Sequence, residues 1–236
     1  MTNIEPNCNA AADFLLKTIR ERYSYNFEWL SRPIIQYPQD IVAFQDIVAK
    51  VSPDLIIETG IAHGGSLVLS ASLLCLLDVM EGLDPRQSSR KVVGVDIDIR
   101  SHNRKALDEH PLRFKMELIQ GSSIDADIIA QVHSHANGYE KILVSLDSNH
   151  THDHVLSELN AYAELVSLGS YCVVFDTVIE DLPAGSFPDR PWDVGNNPKT
   201  AVHEWLSMHP EFEVDKGIDD KLLISVAPDG YLKRVS

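Results

Sequence analysis

Apolar and polar positions along the chain predict strands and helices in regular alternation. Short apolar runs rich in β-branched residues predict buried strands at residues 55–57, 91–95, 116–119, 141–146 and 171–175. Between these runs, apolar residues recur at helical spacing, most clearly over residues 66–77. Strands that alternate with helices are typical of an α/β fold, in which a mostly parallel sheet carries helices on both faces.

The two ends of the chain depart from this alternation. At the N-terminus we expect a loose tail over residues 1–9, a helix over 10–23, an irregular stretch broken by Pro33 and Pro38, and a helix capped by Asp40. At the C-terminus we expect a helix from Pro198, a strand pair at 212–214 and 222–226, and a turn at Asp229-Gly230.

These patterns divide the chain into two parts. Residues 1–50 form an N-terminal helical extension, which we expect to cover a cleft or to form a subunit interface. Residues 51–236 form the α/β domain, for which seven strands are predicted in all. The long loop over residues 178–197 contains three prolines, and long irregular loops at a ligand face commonly bind substrate.

Composition limits the classes of protein to consider. A chain of 236 residues with 44% hydrophobic residues is sufficient for one large domain with a full core. Its net charge of −15 disfavours a nucleic-acid partner, because phosphates would be repelled. Cys75 and Cys172 lie in apolar runs and are expected to be buried thiols. The chain shows neither a signal-peptide pattern nor an apolar helix long enough to span a bilayer, so we expect a cytoplasmic protein.

A glycine-rich turn follows the first strand of the α/β domain. In the sequence PDLIIETGIAHGGS, residues 53–66, Glu58 ends the strand, and Gly60, Gly64 and Gly65 precede the helix that Ser66 opens. Strand, glycine-rich turn and helix in this order are typical of the first ligand-binding crevice of a doubly wound fold. The spacing is not that of the dinucleotide fingerprint. A structural turn that needs small residues is the alternative interpretation.

Further acids stand at the ends of the following strands. Asp96 ends the second strand, where an acid commonly binds ribose hydroxyls, although a helix cap or surface acid is the alternative. Asp147 and Asp176 end the fourth and fifth strands, where two converging carboxylates suit a hard divalent cation. Both acids could instead cap helices. His150 follows Asp147 at D-x-x-H spacing, and Asp153 and His154 lie close by in sequence.

Several of these motifs resemble one family. The spacing E-x-G-x-x-x-G-G-S resembles the first motif of S-adenosylmethionine (SAM)-dependent methyltransferases. More narrowly, ETGIAHGGS, VVGVDIDIR, the 147–150 quartet, VVFDT and KLLISVAPDGYLKR resemble the cephalosporin hydroxylase family over roughly residues 25–236. That resemblance implies a Rossmann-like class I methyltransferase fold. It also implies metal-dependent O-methylation of a sugar hydroxyl on a natural product, glycolipid or polysaccharide.

The resemblance also assigns roles to residues. It implies that Glu58, Gly60, Gly64, Gly65, Ser66, Asp96 and Asp147 bind SAM, and that Ser122 or Ser123 contacts the adenine, although these two serines could equally form a polar turn. It implies that Asp147 and Asp176 bind Mg²⁺ and that His150 is the general base. Relatives often have Glu-Asp where this chain has Asp176-Thr177, so Thr177, a water or Glu180 would supply a third ligand.

The same resemblance leaves the acceptor and the assembly open. We expect a small-molecule or glycan acceptor and a homo-oligomer. Two alternative functions remain at this stage: a component that tailors a cephalosporin nucleus by hydroxylation or methoxylation, and a non-catalytic SAM-binding partner of another enzyme. The first alternative is tested by whether S-adenosylhomocysteine is released with a sugar or with a cephem acceptor. The second would be favoured by a protein that binds the cofactor tightly but binds no metal.

Overall fold

The computed structural model describes residues 8–236 as an α/β fold, and the predicted N-terminal tail falls mostly outside these residues. The regular elements, in chain order, are α1 Cys8–Arg20, β1 Phe27–Trp29, β2 Arg32–Ile34, α2 Pro38–Val51, β3 Leu55–Thr59, α3 Gly65–Met80, β4 Lys91–Asp96, α4 Ser101–Asp108, β5 Met116–Gln120, α5 Ala126–Ala136, β6 Ile142–Leu146, α6 His152–Tyr162, β7 Tyr171–Val174, α7 Pro198–Leu206, β8 Phe212–Val214, α8 Lys216–Leu222 and β9 Tyr231–Arg234.

Seven of the strands form one mixed sheet in the order β5-β4-β3-β6-β7-β9-β8. The five strands β3 to β7 are parallel to one another. Strand β9 pairs antiparallel with both β7 and β8. The chain winds outward from β3 in one direction and from β6 in the other, so the topological switch point lies between these two strands. Ligands of doubly wound folds bind in the crevice at this point. The predicted fold class is confirmed.

Alternate residues of β3 enter two separate cores. Ile56 packs in the core that contains Phe44 of α2 and Leu74 of α3. Leu55 and Ile57 pack in the second core, to which α5, α6 and α7 contribute. Because helices cover both faces of the sheet, all five residues of β3 are buried. Burial on both faces explains why β3 reads as a continuous apolar run rather than an alternating one.

The N-terminal segment packs on the start of α3. Strands β1 and β2 form a small antiparallel hairpin in which Pro33 pairs with Glu28, so the expectation that Pro33 breaks regular structure is wrong. Proline is tolerated here because a two-stranded ribbon has free edges. A Cβ atom on Gly65 would lie 2.3 Å from the carbonyl oxygen of Pro33. Glycine at position 65 therefore allows the hairpin to approach the glycine-rich turn.

Asp40 is a buried tether rather than a helix cap. Helix α2 begins at Pro38, with Tyr37 at the N-cap, so the predicted capping role is wrong. The Asp40 carboxylate accepts hydrogen bonds from the Ser225 hydroxyl at 2.6 Å and the Tyr231 hydroxyl at 2.7 Å. The backbone N–H of Val226 donates to the same carboxylate at 3.1 Å. These bonds join the N-terminal extension to the C-terminal segment.

The same contacts explain a second wrong prediction. The apolar run at 222–226 does not form a strand, because α8 continues to Leu222 and Val226 bonds to Asp40 instead of a neighbouring strand. The last strand is β9, which places Leu232 opposite Cys172 of β7. Cys172 is buried and Cys75 is partly buried. Within residues 8–236, no helix combines the length and the apolar character needed to cross a membrane.

Candidate active site

An open cleft of about 830 Å³ lies at the carboxyl ends of β3, β6 and β7. Its floor is the glycine-rich turn together with residues 147–150. One wall comes from the end of α1 and the residues around β2, and the other from the loop over residues 186–192. The N-terminal extension and the long loop over residues 178–197 therefore both line this cleft. Its polar and charged lining residues include Arg20, Arg22, Gln36, His63, Asp147, His150, Asp176 and Arg190.

Three side chains converge in the cleft as a candidate metal site. Asp147, His150 and Asp176 each place a donor atom within 4.8 Å of the others. His150 Nε2 lies 3.1 Å from Asp176 Oδ2. Asp176 adopts the left-handed conformation, with φ of +57°, which turns the chain sharply at the end of β7. The two carboxylates supply oxygen donors that fit a hard divalent cation, and the imidazole lies beside them.

The electrostatics of Asp147 also fit a cation. Burial raises the pKa of the Asp147 carboxyl well above its ordinary value, and the nearby charges of Asp176 and Glu58 raise it further. The side-chain amide of Gln36 opposes these effects by donating to Asp147 Oδ2 at 2.9 Å. Like charges held this close disfavour joint ionisation, and a bound divalent cation removes that penalty.

The structure does not bring Thr177 or Glu180 into this group. The Thr177 side chain is fully buried, and its hydroxyl donates to the carbonyl of Pro228 at 2.7 Å. Glu180 instead accepts hydrogen bonds from the backbone of Gly195 and the side chain of Asn197. It therefore fastens the long loop rather than facing the cleft acids. The left-handed turn at Asp176 directs the following residues into the 3-10 helix Thr177–Asp181.

His150 is the one histidine of the predicted cluster that joins the cleft acids. The edge of its ring meets the Trp192 ring at a centroid distance of 4.6 Å. His154 instead lies 3.1 Å from the hydroxyls of both Ser123 and Ser148. Asp153 is exposed in the first turn of α6. The sequence cluster therefore separates, because His150 lies in the loop before α6, whereas Asp153 and His154 are successive residues of α6 and face different directions.

Gly60 allows the ends of β3 and β6 to meet. Its φ is +89°, and a Cβ atom there would lie 2.0 Å from the carbonyl oxygen of Asp147. The turn that follows is held by Asp96, whose Oδ2 accepts the N–H groups of Ile61 and Ala62, both at 2.9 Å. Asp96 thus has a structural role at the place where ribose binding is predicted. The N–H of Asp98 donates to the other oxygen, Oδ1, at 2.9 Å, so one of the four lone pairs of the carboxylate is left for a ribose hydroxyl.

Glu58 lies beneath the cleft and is 2% exposed. Its carboxylate accepts hydrogen bonds from the hydroxyls of Ser66 at 2.6 Å and Ser70 at 3.4 Å. Burial raises its pKa to about 7, although these two hydrogen bonds oppose the increase. Glu58, Gln36 and Asp147 also line a small pocket of about 20 Å³ that adjoins the cleft and is large enough for one water molecule.

The remaining predicted residues occupy the same edge of the sheet. Ser122 follows β5 in the turn where adenine contact is predicted, and the neighbouring Ser123 hydroxyl meets His154. Gln36 is a partner of Asp147 that no sequence motif indicates. It stands 111 residues away in the N-terminal extension, so no local spacing indicates the contact. The contact of Trp192 with His150 likewise follows from no local pattern, because the two residues lie in different loops.

A protein-family model described as rhamnosyl O-methyltransferase/CmcI matches residues 21–235. The chain belongs to this family. The rhamnosyl O-methyltransferase of Mycobacterium tuberculosis H37Rv is 32% identical over 200 residues, which cover 83% of this chain and 73% of the relative. That of Mycobacterium leprae is 28% identical over 208 residues, which cover 87% and 82%. The resemblance inferred from the motifs is thus confirmed.

Solved structures confirm the fold of this family member. A CmcI structure with Mg and SAM has a TM-score of 0.59 and 18% identity, and the match covers 90% of this chain and 78% of that one. An O-methyltransferase from Bacillus cereus in complex with S-adenosylhomocysteine has a TM-score of 0.53 and 14% identity, with coverage of 89% and 84%. Both share the class I methyltransferase architecture described above.

Proposed function

We propose that this family member is a metal-dependent O-methyltransferase that moves a methyl group from SAM to a sugar hydroxyl. The observation that carries the proposal is the convergence of Asp147, His150 and Asp176 at the topological switch point. Its relatives are named for methylation of a rhamnosyl group. We therefore place the acceptor among sugars attached to a natural product, glycolipid or polysaccharide.

The residues present fit both small partners of this reaction. SAM would lie along the glycine-rich turn, held by Glu58, Gly60, Gly64, Gly65, Ser66, Asp96, Ser122 and Asp147. A Mg²⁺ ion would bind Asp147 and Asp176, whose oxygen donors suit it. When bound, SAM supplies an electrophilic methyl group, and the cation lowers the pKa of the acceptor hydroxyl. We do not assign a ligand role to Thr177, because its hydroxyl bonds to Pro228.

The side chains of the cleft prepare the acceptor for deprotonation. His150 acts as the general base, since an imidazole accepts a proton near neutral pH. Asp176, whose Oδ2 lies 3.1 Å from His150 Nε2, orients the ring. Trp192 packs on the ring and shields it from water. The two cleft walls then position the acceptor, which lowers the entropic cost of reaching the reactive geometry.

The first test is calorimetric titration of the purified protein with SAM, with and without MgCl₂, followed by measurement of S-adenosylhomocysteine release. We expect SAM binding in both cases and methyl transfer to a rhamnoside only with Mg²⁺. Loss of an outer-shell partner of a metal ligand typically lowers metal affinity roughly 10- to 100-fold. Because Asp176→Asn removes a proposed direct ligand, its Mg²⁺ affinity should fall by at least that much. Asp153→Asn is the matched control, because Asp153 is exposed and outside the metal group.

A second variant separates binding from chemistry. His150→Ala should keep SAM affinity and lose about 10²–10⁴-fold in turnover, the usual contribution of a general base. Full turnover by this variant would remove the assignment of the base. Release of S-adenosylhomocysteine with a cephem acceptor but no sugar would redirect the proposal to cephalosporin tailoring. SAM binding without any turnover or Mg²⁺ response would favour the non-catalytic partner. The cytoplasmic location and homo-oligomeric assembly stay predictions.

A further inference from the structure

Three arginines line the cleft of this acidic protein. The chain carries 20 Lys and Arg residues against 35 Asp and Glu residues. Arg20 and Arg22 nevertheless line one wall of the cleft, and Arg190 lines the other. All three side chains are exposed. Among residues 8–236, no carboxylate forms an ion pair with any of them, and their side chains make no hydrogen bond.

Aromatic rings hold two of these arginines in place. The Arg190 guanidinium carbon lies 5.3 Å from the centroid of the Trp192 ring. The Arg22 guanidinium carbon lies 5.9 Å from the centroid of the Tyr25 ring. Stacking on an aromatic face leaves the N–H groups at the guanidinium edge free for a planar anion. The two guanidinium groups are therefore positioned without using their hydrogen-bond donors.

Arg190 lies near His150, the proposed general base for the reacting hydroxyl. Trp192 contacts both Arg190 and His150, so the guanidinium carbon lies within about 10 Å of the His150 ring centroid. That distance is about the span of one sugar ring with a substituent group. A negative charge held by Arg190 would thus lie on the sugar that is methylated or on the unit next to it.

From these contacts we propose that the acceptor is an anionic sugar derivative whose carboxylate or phosphate group binds to the arginines that line the cleft. This inference rests on the proposed function and specifies its substrate class. Guanidinium groups bind carboxylates and phosphates through paired charge-assisted hydrogen bonds. The three arginines of the cleft also offset the repulsion that a protein of net charge −15 exerts on an entering anion.

The test is a binding measurement on the full protein with S-adenosylhomocysteine and MgCl₂ present. The probes are p-nitrophenyl glucoside, the matching glucuronide, and glucose 6-phosphate. We expect each anionic probe to bind up to about fivefold more tightly than the glucoside, since one exposed ion pair contributes at most about 1 kcal/mol. Arg190→Gln and Arg22→Gln should each remove most of this preference while leaving the affinity for the glucoside unchanged.

Arg86→Gln is the matched control. Arg86 is also exposed and also stacks on an aromatic ring, that of Phe114 at 4.8 Å, but it does not line the cleft. The control should retain the preference for anionic probes. If it loses the preference as Arg190→Gln does, the effect is one of net charge and the proposal is overturned. Thermal unfolding of each variant confirms that the fold is intact.

Two further results would overturn the proposal independently of methyl transfer. One is equal affinity for the glucoside and the glucuronide. The other is that no anion binds wild type more tightly than it binds Arg190→Gln. The anions tested include inorganic phosphate titrated without Mg²⁺. Absence of S-adenosylhomocysteine formation with any acceptor would instead overturn the proposed function, while a measured charge preference would stand. The two failures are therefore distinguishable.

Discussion

Replacing Glu58 by glutamine should flatten the dependence of stability on pH. Burial raises the pKa of Glu58 to about 7 in the folded chain, against 4.5 for an ordinary glutamate. At pH values between 4.5 and about 7, the Glu58 carboxyl is therefore protonated in the folded chain and ionised in the unfolded chain. The contribution of this proton to stability is complete below pH 4.5 and is lost as the pH rises through about 7.

The size of the effect follows from the two pKa values. Since one pKa unit corresponds to about 1.4 kcal/mol, the free energy of unfolding should fall by about 3 kcal/mol between pH 4.5 and pH 8 because of Glu58 alone. Other buried acids contribute to the wild-type profile, notably Asp40, whose pKa burial raises to about 6. The difference between wild type and Glu58→Gln removes the contribution of Asp40 and reports that of Glu58 together with its coupling to Asp147, because a neutral amide does not titrate in this range.

The assay is urea denaturation of the ligand-free protein at several pH values across that range. Ligands are omitted, because anything that binds only the folded state shifts its stability. The stability of Glu58→Gln relative to wild type should increase by about 3 kcal/mol from pH 4.5 to pH 8. Glu213→Gln is the control, since Glu213 is exposed on β8. A constant difference between Glu58→Gln and wild type across the range would refute the reasoning.

Two more predictions test contacts that the fold creates at the same site. Gly60→Ala should destabilise the protein by at least about 2 kcal/mol more than Gly138→Ala in urea denaturation. Both glycines have φ near +90°, but only at Gly60 would the new Cβ strike backbone, so equal losses would contradict this account. Gln36→Leu should weaken Mg²⁺ binding about tenfold by removing the hydrogen bond to Asp147. Calorimetric titration measures this loss, with the exposed Gln45→Leu as control, and unchanged affinity would show that Gln36 does not support the metal site.

Local patterns were sufficient to determine much of this fold. The strands β3, β6 and β7 follow from short apolar runs, because burial on both faces favours apolar residues at most positions. The position of the cleft follows from the alternation of strands and helices, since the carboxyl ends of parallel strands share one edge of the sheet. Acids that follow β6 and β7 in sequence must therefore lie near each other.

Tertiary contacts alone decided the remaining features. The segment around Val226 has an apolar pattern suited to a strand, yet Asp40, 186 residues away, binds its backbone outside the sheet. Thr177 directly follows Asp176 in sequence, but the left-handed turn at Asp176 sends its side chain to Pro228. Gln36 reaches Asp147 only because the hairpin packs on α3. Such partners are set by packing between distant segments, which spacing along the chain does not encode.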